Sequence, residues 1–309
     1  MPGGPTGARA HIQSPTMNRL PTSRREFIVG TTAAFLSNRV ARAQRPSLTA
    51  QQVADRIRAS VGVPWRAQTI DGFRAGDPST PVTGIATTVM ATIDTLKHAV
   101  ADGHNFIVTQ EPIFYSNNDD PGNRAKDPVY LAKKALIDEH RLVVWRFSEH
   151  WNARQPNEAA RAVAAMLRWT GAEVPDAPQT YRIRETTLGG LVAELRNRLP
   201  LRGGLRMVGQ PGMRIRTVYL APGTTSLASA MTGLQKADVI LAGEPREWEA
   251  VPYALDTWAA ERGKGLIAIG RVVSEEASAQ ACATWILSIF PGVPVNGIPS
   301  TDPYWSVNV

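Results

Sequence analysis

Residues 105–115 read NFIVTQEPIFY, and this stretch decides the fold class. The apolar run at 106–108 follows a helical stretch at 93–101, which predicts a helix, a turn and then a buried strand. The polar residues QEP at 110–112 end that strand, since proline lacks the N–H that a central strand needs. Open α/β sheets bind ligands at this edge, so Glu111 is a candidate site residue. An ordinary polar loop is the alternative interpretation.

Composition favours a globular protein and argues against a nucleic-acid partner. The chain has 309 residues, of which 43% are hydrophobic, enough for one large domain or two smaller ones. Its net charge is +7. Residues 1–43 hold six arginines and one glutamate, a net +5, which leaves +2 for the other residues. The basic charge therefore belongs mostly to the N-terminal segment, and no nucleic-acid binding is expected.

The first 43 residues have the order of features found in a twin-arginine export signal. Residues 23–28 read SRREFI, an apolar stretch follows at 27–36, and Ala-Arg-Ala at 41–43 suits cleavage before Gln44. We expect an exported, periplasmic or extracytoplasmic protein with no stable membrane insertion after the signal is removed, because the apolar stretch is too short to span a bilayer. A disordered basic N-terminus is the alternative.

Strands alternate with helices along the rest of the chain, which predicts an α/β fold. We expect two lobes of layered structure, each with a central sheet flanked by helices, and a site in the cleft between them. The Pro-rich stretch 174–179 suggests a boundary between a first lobe at 44–175 and a second lobe at 176–309. The C-terminal segment of the second lobe is a candidate to pack back into the first lobe. The composition of 71–81 predicts a loop, and a helix is expected at 277–290.

Four predicted strands end in polar clusters. If these ends converge, carboxylates and imidazole there suit Zn, Mn, Fe or Mg, or general acid–base work. The clusters are Gln110 with Glu111, the group Glu149, His150 and Asn152, Glu244 with Glu247, and Arg271 with Glu275.

Each of these residues also has a purely structural interpretation. His150, beside a tryptophan, suits a packed corner, and Glu275 is favoured by the dipole at a helix start. Glu244 suits a solvated face. Trp248, Trp285 and Trp305 are typical core residues, and Cys282, the single cysteine, is predicted to be buried and excludes an internal disulfide.

Three segments resemble the NGG-interacting-factor-three-like, dinuclear metal centre hexameric protein family, also called GTP cyclohydrolase 1 type 2-like. They are GIATTVMATIDTLKHAVADGHNFIVTQEP at 84–112, ADVILAGEPREWE at 237–249 and AIGRVVSEEA at 268–277. The resemblance implies a homo-oligomer and a site of two metal ions. It places the first ligand pair on Gln110 and Glu111, a third ligand near 148–152, and the last two on Arg271 and Glu275.

The chain departs from this family pattern at two ligand positions. Gln110 is a neutral amide and a poor ligand, and Arg271 has no lone pair to offer. A full dinuclear site is therefore not expected, and Arg271 is expected to supply positive charge by pairing with Glu111 or Glu275. One divalent metal (Zn, Mn or Fe) held by Glu111, His150 and Glu275 is the other hypothesis, with Glu149, Asn152 and Glu244 as further cleft candidates.

Two classes of function follow from the resemblance. One is an exported relative with a reduced or lost metal site, a vestigial metal-dependent hydrolase. The alternative is a non-catalytic, oligomeric binding or structural protein that keeps the fold. The small-molecule ligand is not predicted by the sequence.

Overall fold

The computed structural model describes residues 48–307, all within one compact unit, and the predicted export signal lies outside them. The strands are β1 (Gly72–Ala75), β2 (Ile85–Thr88), β3 (Phe106–Thr109), β4 (Val143–Arg146), β5 (Thr180–Thr187), β6 (Arg206–Val208), β7 (Arg214–Thr225), β8 (Val239–Pro245), β9 (Gly265–Ala268) and β10 (Val295–Gly297). The helices are α1 (Ala50–Ser60), α2 (Ile93–Ala101), α3 (Pro128–Glu139), α4 (Glu149–Asn152), α5 (Glu158–Met166), α6 (Leu188–Arg198), α7 (Leu227–Lys236), α8 (Ala250–Ala259) and α9 (Arg271–Ile289), with a 3-10 helix at Gly122–Lys126.

The first sheet has the strand order β1-β4-β3-β2-β10. Strands β4, β3, β2 and β10 are parallel, and β1 pairs antiparallel to β4 at one edge. Every residue of β2, β3 and β4 is buried, as expected for parallel strands covered on both faces. Phe106 packs in a core with residues of α1 and α9, and Ile107 packs on the opposite face with residues of α2 and α3.

The second sheet has the order β5-β7-β8-β9-β6, with β7, β8 and β9 parallel and both edge strands antiparallel. Val218 and Leu241 pack on one face with residues of α5 and α6. Tyr219 and Ile240 pack on the other face with residues of α7 and α8. The alternation of strands and helices thus gives two helix-flanked sheets, and the predicted layered α/β architecture is confirmed.

Helix α9 packs against both sheets. Its Cys282 and Ile286 are buried in the core shared with the first sheet, whereas Val273 is buried in the core of the second. The chain enters α9 directly from β9 through Gly270, whose φ of 93° lies in the region that glycine favours. The first turn of α9 therefore follows directly from a central strand of the second sheet.

Two element predictions are wrong. The stretch 71–81 contains strand β1, which its turn-rich composition hides because pairing with β4, and not local propensity, makes it a strand. The helix expected at 277–290 begins six residues earlier, at Arg271, so Arg271 and Glu275 lie one turn apart on one face of its N-terminal end.

The expectation for the tryptophans is wrong at two of three positions. Trp248 is 75% exposed and Trp305 is 71% exposed. Trp285 is partly buried against the first core, and Cys282 is buried as predicted. Among residues 48–307, no helix is long and apolar enough to cross a membrane.

Candidate functional site

The side chain of Arg271 joins residues from both sheets, and we call this group the Arg271 cluster. Its Nε donates to Glu275 Oε2 at 2.5 Å. Its Nη1 donates to Thr224 Oγ1 and, at 3.3 Å, to Glu244 Oε2. Its Nη2 donates to Glu111 Oε1. The structure therefore brings together four residues singled out in the sequence: Glu111, Glu244, Arg271 and Glu275.

The topology explains this convergence. Glu111 follows the end of β3 in the first sheet, and Glu244 lies near the end of β8 in the second. Arg271 and Glu275 are four residues apart, one turn of α9, so both side chains project from the same face of its N-terminal end. The cluster therefore forms where the strand ends of the two sheets meet.

Two glycines let the backbones of β7, β8 and α9 approach closely beside the cluster. A Cβ at Gly243 would lie 2.4 Å from Ser274 Oγ and 2.5 Å from Gly223 O. A Cβ at Gly223, where φ is 74°, would lie 2.9 Å from Glu275 Oε1. Side chains at these positions would push Glu275 and Ser274 away, so glycine is required for the observed geometry.

The cluster holds more acid than base, since three carboxylates share one guanidinium. Burial raises the pKa of Glu275 to about 7; Arg271 opposes this rise, and the nearby carboxylates of Glu111 and Glu244 add to it. Burial by itself would lower the pKa of Arg271, but the same three carboxylates outweigh it and raise that pKa above its usual value. The two shifts have one physical cause, because a single guanidinium is shared by the buried Glu275, the half-buried Glu111 and the exposed Glu244.

Buried cations fix the loop that carries Glu111. Arg146 Nε donates to Gln110 O at 3.3 Å, and Lys133 Nζ donates to Ile113 O at 2.6 Å. Lys133 is only 3% exposed, and burial lowers its pKa to about 8. These contacts hold the segment after β3 in one conformation, so Glu111 is presented to Arg271 by a rigid support.

His150 belongs to a different group, which we call the Asp71 cluster. Its Nδ1 lies 2.7 Å from Asp71 Oδ2, and its Nε2 accepts a hydrogen bond from Arg66 N at 3.0 Å. Its ring stacks on Trp65 with centroids 3.7 Å apart. Both ring nitrogens are therefore occupied, and the hypothesis that His150 ligates a metal together with Glu111 and Glu275 is not supported by this geometry.

The other two candidates near His150 also lie outside the Arg271 cluster. Glu149 accepts from Thr69 Oγ1 at 2.6 Å and from Ile70 N at 3.2 Å, and it pairs with Arg66 at 3.0 Å. Asn152 is exposed at the end of α4. Glu149 therefore supports the loop before β1, and Asn152 faces solvent.

The donor set does not fit a pair of metal ions. Arg271 places a permanent cation among the carboxylates, and a guanidinium has no lone pair to share. Gln110 is 3% exposed, and its amide atoms have no hydrogen-bond partner among the described residues. Within residues 48–307 no group of three or more His, Cys, Asp or Glu side chains is arranged to hold a metal ion.

A cavity of about 740 Å³ lies beside the Arg271 cluster. Glu244 and Arg271 form part of its wall, and the segment 302–304 after β10 forms another part. Trp248 and Tyr304 line it and are 75% and 70% exposed. A volume of this size is typical of small-molecule sites.

Several of these residues are missed by sequence reasoning. From the sequence, Thr224 is assigned to a helix cap and Asp71 to a loop, and neither position indicates a role in a site. Tyr304 lies in a Pro-rich tail whose sequence has no periodic pattern, so no element or site is predicted there. Arg146 is predicted only as a polar residue at the end of a strand. Of these residues, Trp248 alone could have been recognised from the sequence as a binding-site candidate. It lies four residues after Glu244 in a stretch rich in glutamate, where a tryptophan is unusual.

Comparison with known proteins identifies the family. The family model described as Duf34/NIF3 (NGG1p interacting factor 3) matches residues 64–296. No curated protein matches this chain. The fold is similar to Staphylococcus aureus hypothetical protein SA1388, with a TM-score of 0.69, 16% identity, and coverage of 84% of this chain and 100% of that one.

Two further solved structures share the fold. A Bacillus cereus protein related to NIF3 has a TM-score of 0.66 and 12% identity over 85% of this chain and 100% of that one. Reduced HcgD from Methanocaldococcus jannaschii has a TM-score of 0.59 and 13% identity over 82% and 98%. At these identities the structures show the fold alone, whereas the family model covers most of the sequence. The chain therefore belongs to the Duf34/NIF3 family.

Proposed function

We propose that this protein is a family member whose cleft binds a small molecule without metal-dependent hydrolysis, because Arg271 supplies the positive charge that metal ions would otherwise provide. The observation that carries the proposal is the set of ion pairs from one guanidinium to Glu111, Glu244 and Glu275. A divalent ion placed among these carboxylates would face that fixed cation in a site of low effective dielectric and be repelled.

The adjacent cavity supports binding as the retained role. It opens to solvent beside the cluster, and its walls combine charged groups with aromatic rings. Glycines at 223 and 243 hold the backbone close to Glu275, so the arrangement is rigid before any ligand arrives. Rigid polar groups at the wall of a cavity favour binding, because little ordering entropy is lost.

Elemental analysis of the purified full chain tests the proposal. We expect clearly less than one tightly held divalent ion per chain, also after incubation with Zn²⁺, Mn²⁺ or Fe²⁺ and desalting. The double variant Gln110→His with Arg271→His should gain at least one site, since neutral imidazole is a good ligand. The matched control is Arg246→His with Gln179→His, which adds two histidines outside the cluster.

Two tightly bound ions per chain in the unmodified protein would overturn the proposal. In that case the ligands must include groups that now make other contacts, such as Glu149 and His150, and the protein would be a metal-dependent hydrolase candidate. An equal gain in the control variant would show that added histidines bind metal wherever they stand.

Export and oligomerisation belong to the same proposal, supported by the sequence and the family. We propose twin-arginine export with cleavage before Gln44, and a homo-oligomer as the mature form. Replacing Arg24 and Arg25 by lysine should leave unprocessed protein in the cytoplasmic fraction. Normal processing of that variant would contradict export by this route, and light scattering that gives a monomer mass would contradict the oligomer.

A further inference from the structure

We propose that the cavity beside the Arg271 cluster binds an organic ammonium ion, with Glu244 as its carboxylate contact and Trp248 and Tyr304 as its aromatic walls. This inference rests on the metal-free cleft proposed above and names the ligand class for it. Glu244, Trp248, Arg271 and Tyr304 all line the cavity of about 740 Å³.

The charge of the cluster selects for a cation. Arg271 is shared by Glu111, Glu244 and Glu275, so negative charge exceeds positive charge in the cluster even when Glu275 is protonated. The carboxylates of Glu275 and Glu111 pair with Arg271 and are largely buried, with side chains 4% and 18% exposed. Glu244 has a side chain that is 62% exposed and touches Arg271 only at 3.3 Å through Oε2. Its Oε1 is therefore free to accept from a ligand.

The other charged groups in the wall are already paired. Arg206 pairs with Glu247, and Arg246 pairs with Glu249 at 3.3 Å. The carboxylate of Asp302 accepts from the backbone N–H groups of residues 202 and 203 at 3.2 and 3.1 Å, and from that of residue 304 at 3.1 Å. The positive charges of Arg206 and Arg246 are thus offset by their own acidic partners, so an anionic ligand would meet the surplus carboxylates of the Arg271 cluster, whereas a cation completes the charge balance.

The two aromatic rings supply the second half of cation recognition. Trp248 and Tyr304 are 75% and 70% exposed, although both line a concave surface. Large exposed aromatic side chains in one cavity are typical of a binding site. The faces of Trp and Tyr attract ammonium groups through the ring quadrupole, and they also pack against an apolar body attached to that group. A carboxylate together with two aromatic rings is therefore complementary to an arylalkyl ammonium ion.

Isothermal titration with benzylamine, benzyl alcohol and benzoate tests the inference, using the full chain at pH 7.5 with a chelator in all solutions. Benzylamine is the cationic probe, and the other two have the same ring with neutral or negative charge. We expect benzylamine to bind at least about tenfold more tightly than either comparator, because a charge-assisted contact is worth one such factor or more. Added salt should weaken this binding.

Matched variants locate the site. Glu244→Gln should weaken benzylamine binding about tenfold, and Trp248→Ala should weaken it about threefold. Glu139→Gln makes the same charge change on an exposed end of α3, and Trp305→Ala removes a tryptophan that is 71% exposed but does not line the cavity. Both controls should bind like the unmodified protein. Circular dichroism checks that each variant is folded.

Equal binding of benzoate and benzylamine, or no binding of benzylamine, would overturn the inference without using any variant. Glu244→Gln that behaves like Glu139→Gln would overturn the assignment of the carboxylate. Metal analysis of the same protein preparation, before the chelator is added, separates the two proposals. Metal-free protein that fails to prefer benzylamine contradicts only the ligand class, whereas two tightly held ions per chain contradict the proposed metal-free function.

Discussion

The Asp71 cluster and the Arg271 cluster both form at strand ends, but one is closed and the other is open. Asp71 accepts from the backbone N–H groups of Ser148, Glu149 and His150 at 2.7, 3.0 and 2.9 Å, and its other contacts are the Ser148 hydroxyl at 3.4 Å and the His150 ring. It is 6% exposed. Arg271 serves three carboxylates, and one of them, Glu244, extends into a cavity.

This difference separates a structural cluster from a functional one. In the Asp71 cluster one acid meets several donors, so the Asp71 carboxylate and both ring nitrogens of His150 are satisfied within the protein. In the Arg271 cluster three acids compete for one base, and the pKa of Glu275 is raised to about 7. Sites that keep unbalanced charge beside a cavity are typical of binding or catalysis. In the sequence both clusters show polar residues directly after a predicted strand, Glu149 and His150 in one case and Glu111 in the other.

Removing Asp71 should have the largest effect on stability. We expect Asp71→Ala to lower the free energy of unfolding by about 4 kcal/mol, because it leaves several buried N–H donors without an acceptor. Urea denaturation followed by circular dichroism measures this loss. Asp77→Ala, in an exposed turn, is the control and should have a much smaller effect. A small loss for Asp71→Ala would show that the cluster is not a structural support.

Removing the guanidinium of Arg271 should have the next largest effect. We expect Arg271→Met to lower the free energy of unfolding by about 3 kcal/mol, since it leaves partly buried carboxylates facing one another. The loss should be greater at pH 8 than at pH 5, where the acids are more readily protonated. Arg246→Met breaks an exposed ion pair and should change little. Equal losses for the two variants would contradict the special role of Arg271.

Replacing Glu275 should give a smaller effect that depends on pH. Because the folded protein raises the pKa of Glu275 from 4.5 to about 7, folding favours its protonated form. The unmodified protein therefore loses stability from this residue as pH rises from about 4.5 through 7. The free energy of unfolding of Glu275→Gln, relative to that of the unmodified protein, should therefore increase by on the order of 2 kcal/mol as pH rises across that window. Glu139→Gln is the control and should show no such trend. If the stability of Glu275→Gln relative to the unmodified protein rose as the pH was lowered, the proposed sign of the effect would be wrong.

Elements whose formation depends only on burial or on local backbone geometry can be predicted from the sequence. The apolar run at 106–108, cut off by a polar pair and a proline, predicts β3 and the position of Glu111 at its end, and the structure has both. The resemblance of three segments correctly indicates the family. The substitution of Arg271 for a ligand is also visible without coordinates, because the chemistry of guanidinium excludes it from ligation.

Only the tertiary structure decides which strand ends meet. His150 and Glu111 are equally good site candidates in the sequence, yet contacts with Asp71, Arg66 and Trp65 place His150 in a closed cluster. The partner of His150 lies 79 residues away in the chain, beside an edge strand that local composition presents as a loop. Such pairing energy is non-local, so no window of sequence contains it.

The sequence by itself determined the alternation of strands and helices, the charge excess of the N-terminal segment and the identity of the residues at the family's ligand positions, because each depends on side-chain chemistry or short-range periodicity. The tertiary structure decided that Arg271 holds three carboxylates at once and that Trp248 and Tyr304 share one cavity with Glu244. The physical reason is that helix α9 packs against both sheets, and this packing brings together side chains that lie more than 150 residues apart, as in the 160-residue separation of Glu111 and Arg271.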